Sequence, residues 1–139
     1  TLRPHMIIIH AEATGDVKTA LMQIRQAGIM VGLALLKPTV PRTVEELIKI
    51  ADHVMIFSGE LGRFGGTASL MQLEKIRLIK AINPSVEIGW DGGVAVDNAY
   101  SLVQGGVNVL NVGGVIQKSS DPRAIFSRLQ QEINKTSVL

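Results

Sequence analysis

Five short apolar runs punctuate the chain: "HMIIIH" (5–10), "MVGLALL" (30–36), "HVMIFS" (53–58), "VEIGWD" (86–91) and "VNVLNV" (107–112). They are aliphatic and β-branched almost throughout, with little polar alternation. Runs of this kind form strands buried on both faces, which is the habit of parallel sheets. The stretches between them carry apolar residues at helical spacing instead. "DVKTALMQIRQAG" (16–28) places Val17, Ala20, Leu21 and Ile24 on one face and stops at Gly28. "TVEELIKIA" (43–51) follows Pro41, with Thr43 as the expected N-cap and its acids early. "ASLMQLEKIRLIKAI" (68–82) sets Leu70, Leu73, Ile76 and Ile79 three apart and ends at Asn83-Pro84. "AVDNAYSLVQGG" (95–106) and "DPRAIFSRLQQEIN" (121–134) complete the set, with Pro122 where a missing N–H does no harm.

The pattern is five βα units in a row over 139 residues, with no linker between them. Alternating strands and helices give a parallel sheet with right-handed crossovers. An open doubly wound sheet and an arc of a (β/α)8 barrel both satisfy this. No GxGxxG follows the first strand, which weighs against a dinucleotide-binding sheet. A full barrel needs about eight units and about 250 residues. Five units would therefore form an arc with open edges at the first and last strands, and such edges invite pairing.

Composition narrows the classes. Hydrophobic residues make up 46% of the chain and charged residues 19%, the balance of a globular domain. A net charge of +2, with no basic cluster interleaved with aromatics, argues against a nucleic-acid partner. The absence of cysteine excludes disulfides and thiolate metal sites and fits a reducing compartment. The N-terminal apolar run is too short for a signal peptide or a membrane span. The expectation is a cytoplasmic protein with no membrane partner.

In parallel α/β proteins, chemistry gathers at the C-terminal ends of the strands. Here those ends read "HAEAT", "LKPTVP", "SGELGRFGG", "DGGV" and "VGGV", and three of the five are glycine-rich. Closely spaced glycines let backbone N–H groups approach an anion. Three such loops side by side would make a phosphate cup, although any one glycine pair is commonly just a tight turn. Asp91 ends an apolar strand and is either a working carboxylate or a cap for the helix from 95, where Asp97 sits closer. His10 and Glu12 point to one side of an extended chain, as a metal or acid–base pair or as a structural hydrogen-bonded pair. Lys37 either faces an anionic substrate or is solvated. The loop holding Glu60 and Arg63 is a lid or an insertion. His5 and His53 read as strand-entry residues, and the methionines and Phe57 as core filling.

The ordered set "HAEAT", "GLALLKPTVP", "FGG" and "DGGV" resembles the ribulose-phosphate 3-epimerase family, over its last five βα units and nearly the whole chain. That resemblance implies a TIM barrel of which this chain holds five of eight units, with residues 1–139 as a single domain. It implies an epimerase of a ketose phosphate that abstracts and returns the proton at C3 through a metal-stabilised enediolate. The family uses two aspartates and a divalent metal. Asp91 matches the seventh-strand aspartate, which is both acid/base and metal ligand. Gly62, Phe64, Gly65, Gly66, Gly92, Gly93, Gly113 and Gly114 match the loops that hold the substrate phosphate. In the family the other aspartate and two metal-ligand histidines lie on strands two and three and a substrate-contacting serine on strand one, and none of these is present in this chain. His10 matches a family histidine that is not a metal ligand.

The chain also departs from the family. Arg63 is inserted in the sixth-strand motif, Leu61 replaces a proline and Thr67 a glutamine. Phe57 stands for a methionine, Gly114 for a serine, and Trp90 for a small β-branched residue. The expected partners are a small phosphorylated sugar and either a second copy of the chain or completing N-terminal strands. The chain alone is expected to be inactive. A non-catalytic phosphosugar-binding module and another phosphate-binding barrel enzyme are the alternatives. A decarboxylase or synthase of the latter kind would want a lysine beside an aspartate on one strand, and no such pair is present.

Overall fold

The computed structural model describes residues 3–62 and 66–135. Five strands form one parallel sheet: β1 (Met6–His10), β2 (Met30–Leu35), β3 (His53–Phe57), β4 (Glu87–Asp91) and β5 (Val109–Asn111). The helices are α1 (Val17–Gln26), α2 (Glu45–Ile50), α3 (Glu74–Ile82), α4 (Val96–Gln104), α5 (Gly114–Gln117) and α6 (Pro122–Ile133). The strands lie in chain order, β1-β2-β3-β4-β5. A doubly wound sheet must reverse direction at a switch point, and this one never does. Right-handed crossovers that always step the same way put every helix on the same side, as in a barrel. The edges are β1 and β5, as the strand count requires.

The core explains why the runs lack alternation. Val31, Leu33, Leu35, Val54, Ile56, Ile88 and Trp90 form one buried cluster with Leu21, Ile48, Ile79 and Leu102 from the helices. Trp90 is 0% exposed. It fills the sheet–helix layer, and its indole N–H donates to the carbonyl of Gly92 at 3.0 Å. The departure at Trp90 is therefore a packing change behind the site rather than within it.

The opposite face carries the in-register line His10, Ala34, Met55, Gly89 and Val109 across all five strands. Its small residues make room for large ones. A Cβ on Gly89 would lie 2.3 Å from His53 Nε2. His53 is buried, and its Nδ1 meets Glu87 Oε1 at 2.7 Å.

Several expectations need correction. Thr43 is not an N-cap: it lies inside a 3-10 turn over Pro41–Val44 and donates its hydroxyl to the Val40 carbonyl at 2.7 Å. The helix expected from 68 begins as a 3-10 turn over Leu70–Leu73, which rotates Leu70 out of the core to 43% exposure. Met71 is 89% exposed and Met22 is exposed, so methionine does not serve only as core filling. Phe57 is half-buried on the inner face, edge-on to the His10 ring at 5.6 Å. The short α5 has no apolar periodicity long enough to foresee.

Candidate active site

Asp91 is the last residue of β4, so its side chain projects at the C-terminal rim of the sheet. Its strand neighbours in register are Phe57 on β3 and Asn111 on β5. A cavity of about 390 Å³ opens there. It is lined by Phe57, Asp91, Asn111, Gly66, the stretch Gly92 to Ala95, Gly113 to Val115, and Lys118. The structure thus brings Asp91 together with Gly66, Gly92, Gly93, Gly113 and Gly114. Gly62 is exposed and does not line the cavity. Phe64 and Gly65, together with Arg63, lie outside the described residues.

Asp91 does not cap α4. The Asn98 carboxamide fills that role, accepting from the Ala95 N–H at 3.0 Å and donating to the Gly93 carbonyl at 2.9 Å. Among the described residues, the Asp91 carboxylate makes no hydrogen bond or ion pair. Its backbone carbonyl accepts from the Ser58 N–H at 2.7 Å, which ties β4 to the loop after β3.

Gly92 and Gly93 have a packing reason to be glycine. Their φ values are +101° and +72°. A Cβ on Gly92 would fall 2.2 Å from Gly59 N, and one on Gly93 2.1 Å from Ala68 N. The loop after β3 leaves over one glycine and returns over the other. Buried Ser58 joins the two stems, accepting from Ser69 N–H at 2.8 Å and from the Gln72 amide at 3.2 Å. Two rims of the cavity are therefore built as one unit.

The His10–Glu12 pair divides its work. His10 Nδ1 lies 3.4 Å from Glu12 Oε2 and has no hydrogen-bond partner. Glu12 Oε1 accepts from the Leu36 N–H at 3.0 Å and from the Thr39 hydroxyl. Burial pushes the Glu12 carboxyl up, but these hydrogen bonds outweigh it and hold it below the usual range. Lys75 grips the same turn from the other side, donating to the carbonyls of Leu36 at 2.7 Å and Lys37 at 2.9 Å. Partial burial lowers its pKa. The Lys37 side chain is exposed and does not line the cavity.

Sequence reasoning did not single out Ser58, Asn111, Lys75 or Lys118. For Lys118 a signal existed: it stands four residues after Gly114, one helical turn back to the same side.

A divalent metal needs several carboxylate or imidazole donors. Among the described residues no group of three or more His, Cys, Asp or Glu could hold one. Asp91 alone does not fit such an ion. Among the described residues, no helix is long and apolar enough to cross a membrane.

Five in-order parallel strands, with a cavity at their C-terminal ends, define an arc of a TIM barrel. The chain belongs to the ribulose-phosphate 3 epimerase family, whose model matches residues 1–117. It is 36% identical over 134 residues to a ribulose-phosphate 3-epimerase of Helicobacter pylori, covering 93% of this chain and 61% of that protein. It is 29% identical to the corresponding protein of Aquifex aeolicus, covering 89% and 58%. The chain thus spans about three-fifths of the length of these curated relatives. Among solved structures, 3-hexulose-6-phosphate synthase from Salmonella typhimurium superposes with a TM-score of 0.70 at 20% identity, covering 93% of this chain and 61% of that one. Thiamine phosphate pyrophosphorylase from Pyrococcus furiosus gives 0.63 at 19%, covering 93% and 59%. At these identities the structural likeness speaks for the fold.

Proposed function

We propose that this chain forms the C-terminal arc of a ketose-phosphate 3-epimerase, acting on a pentose phosphate such as its relatives are named for. It would supply one acid/base carboxylate and the phosphate end of the site. The observation that carries this reading is Asp91: a carboxylate unpaired among the described residues, held at a strand end and lining a cavity with five glycines.

A hydrogen on the carbon beside a ketone is acidic enough to be removed only if a base is held close and the resulting oxyanion is stabilised. Asp91 would take that proton at C3 on one face of the substrate, or return it to the enediolate on that face. Inversion requires a second acid/base group on the other face, and the other family aspartate would supply it from a preceding unit. The backbone at Gly66, Gly92, Gly93, Gly113 and Gly114 allows the phosphate close approach. Any metal would take most of its ligands from preceding units, with Asp91 as one.

The 139 residues alone hold one of the two carboxylates and are expected not to turn over. The test is Asp91→Asn in a barrel-complete protein, meaning this chain preceded by the upstream units its relatives carry. Loss of epimerisation with phosphate binding retained supports the reading. Unchanged turnover would place the chain with a non-catalytic or differently acting barrel.

A further inference from the structure

The cavity has a second charged residue. Among the described residues that line it, only Asp91 and Lys118 carry formal charge. They come from different elements: Asp91 ends β4, and Lys118 closes α5 with its N–H on the Gly114 carbonyl at 3.0 Å. Most other lysines are engaged, and Lys37 is exposed and away from the cavity. Lys49 and Lys135 pair with acids, Lys75 and Lys80 with backbone carbonyls, and Lys18 with Glu46. Among the described residues, the Lys118 ammonium has no hydrogen-bond or ion-pair partner. An unpaired cation on a cavity wall that holds glycines, small apolar side chains, Phe57 and Asn111 besides Asp91 will draw an anion.

We propose that Lys118 is the side-chain cation that receives the substrate's phosphate and sets which end of the sugar enters first. The assignment rests on reading this cavity as the sugar-phosphate site. With the phosphate drawn to Lys118 and the adjoining Gly113-Gly114 backbone, the carboxylate of Asp91 repels that end and is left to the ketose carbons. Charge of opposite sign at two places in one cavity thereby orients a molecule that is anionic at one end only. The backbone N–H groups give the phosphate its fit, and Lys118 gives it a formal countercharge that glycines cannot supply.

The experiment titrates the 139-residue chain with inorganic phosphate and follows backbone amide resonances by NMR, in wild type, Lys118→Gln and Lys118→Arg. Saturable shifts at Gly113, Gly114 and Val115 are expected in wild type. Lys118→Gln should weaken binding about tenfold and flatten its salt dependence, while Lys118→Arg should keep affinity within about threefold. Unperturbed resonances elsewhere will show that Lys118→Gln is folded. Equal affinity in wild type and Lys118→Gln would overturn the role of Lys118 while leaving the site reading in place. If phosphate shifts none of these resonances in wild type, the phosphate site itself fails and the proposal with it. The catalytic reading of Asp91 is judged separately, by turnover of the barrel-complete protein.

Discussion

Strand β4 carries two carboxylates, Glu87 and Asp91, four residues apart and on the same face of the sheet. Glu87, at the entry end, is held by buried His53 at 2.7 Å, and Gly89 lies against the ring's far side. Asp91, at the exit end, has no such partner among the described residues and faces a cavity. The two acids share backbone, sheet and chemistry. Only their surroundings differ: they hold one in the structure and leave the other open to the proposed reaction. Folding satisfies the polar group at the bottom of the arc and leaves the one at the top available, the division expected of a parallel α/β scaffold.

The largest expected effect sets the two acids apart by activity. On the proposed reading, Asp91→Asn in the barrel-complete protein lowers turnover by about 10²- to 10⁴-fold. Its denaturant midpoint should stay near wild type, because no hydrogen bond is lost. A large stability loss would erase the contrast.

Next is Gly93→Ala. It places a Cβ against the Ala68 backbone at a left-handed φ of +72°. A cost of about 2–4 kcal/mol in urea unfolding is expected, and the loop after β3 should lose protection in hydrogen exchange.

Glu87→Gln reverses the Asp91 result. It weakens the contact to His53 and should cost about 1 kcal/mol of stability, with turnover within about twofold of wild type.

The smallest effect is at Glu12, whose carboxyl is held below its usual range by Thr39 and Leu36 despite a desolvation penalty. A group with a depressed folded pKa stabilises fully above its unfolded value and loses that contribution as pH falls through the folded one. The Glu12 contribution should therefore be complete above about pH 4.5, its unperturbed value, and fade below it. Glu12→Gln should cost about 0.5 kcal/mol at neutral pH, since the group is partly exposed. That cost should shrink in acid, as read from unfolding midpoints across pH.

Much of the arc was legible in the sequence because its three central strands are largely buried on both faces, while the apolar edge strands β1 and β5 stay partly exposed. Continuous apolar runs and helical stops at Gly28 and Asn83-Pro84 mark the units with little ambiguity. The order of the strands, and hence barrel arc over open sheet, was not a property of any run. It needed the pairing pattern. Asp91 could be singled out because a carboxylate on an apolar strand end is conspicuous. Ser58 and Lys75 could not, because their partners lie 9 to 14 and 38 to 39 residues away. The glycines were read as room for a ligand. Gly92 and Gly93 turn out to be required by backbone packed against backbone, whatever else they admit. Phe57 and Leu70 misled because an apolar residue at the right spacing does not reveal where a strand ends or a 3-10 turn begins.

The most direct test of Asp91 as one half of a two-carboxylate reaction is solvent exchange. Each C3 epimer of the pentose phosphate would be incubated separately in deuterated water with the barrel-complete Asp91→Asn protein. Deuterium at C3 would then be followed by NMR. The account predicts that net epimerisation is lost while exchange survives for one epimer only, the one whose hydrogen faces the remaining base. Exchange that persists for both epimers, or for neither, would contradict it.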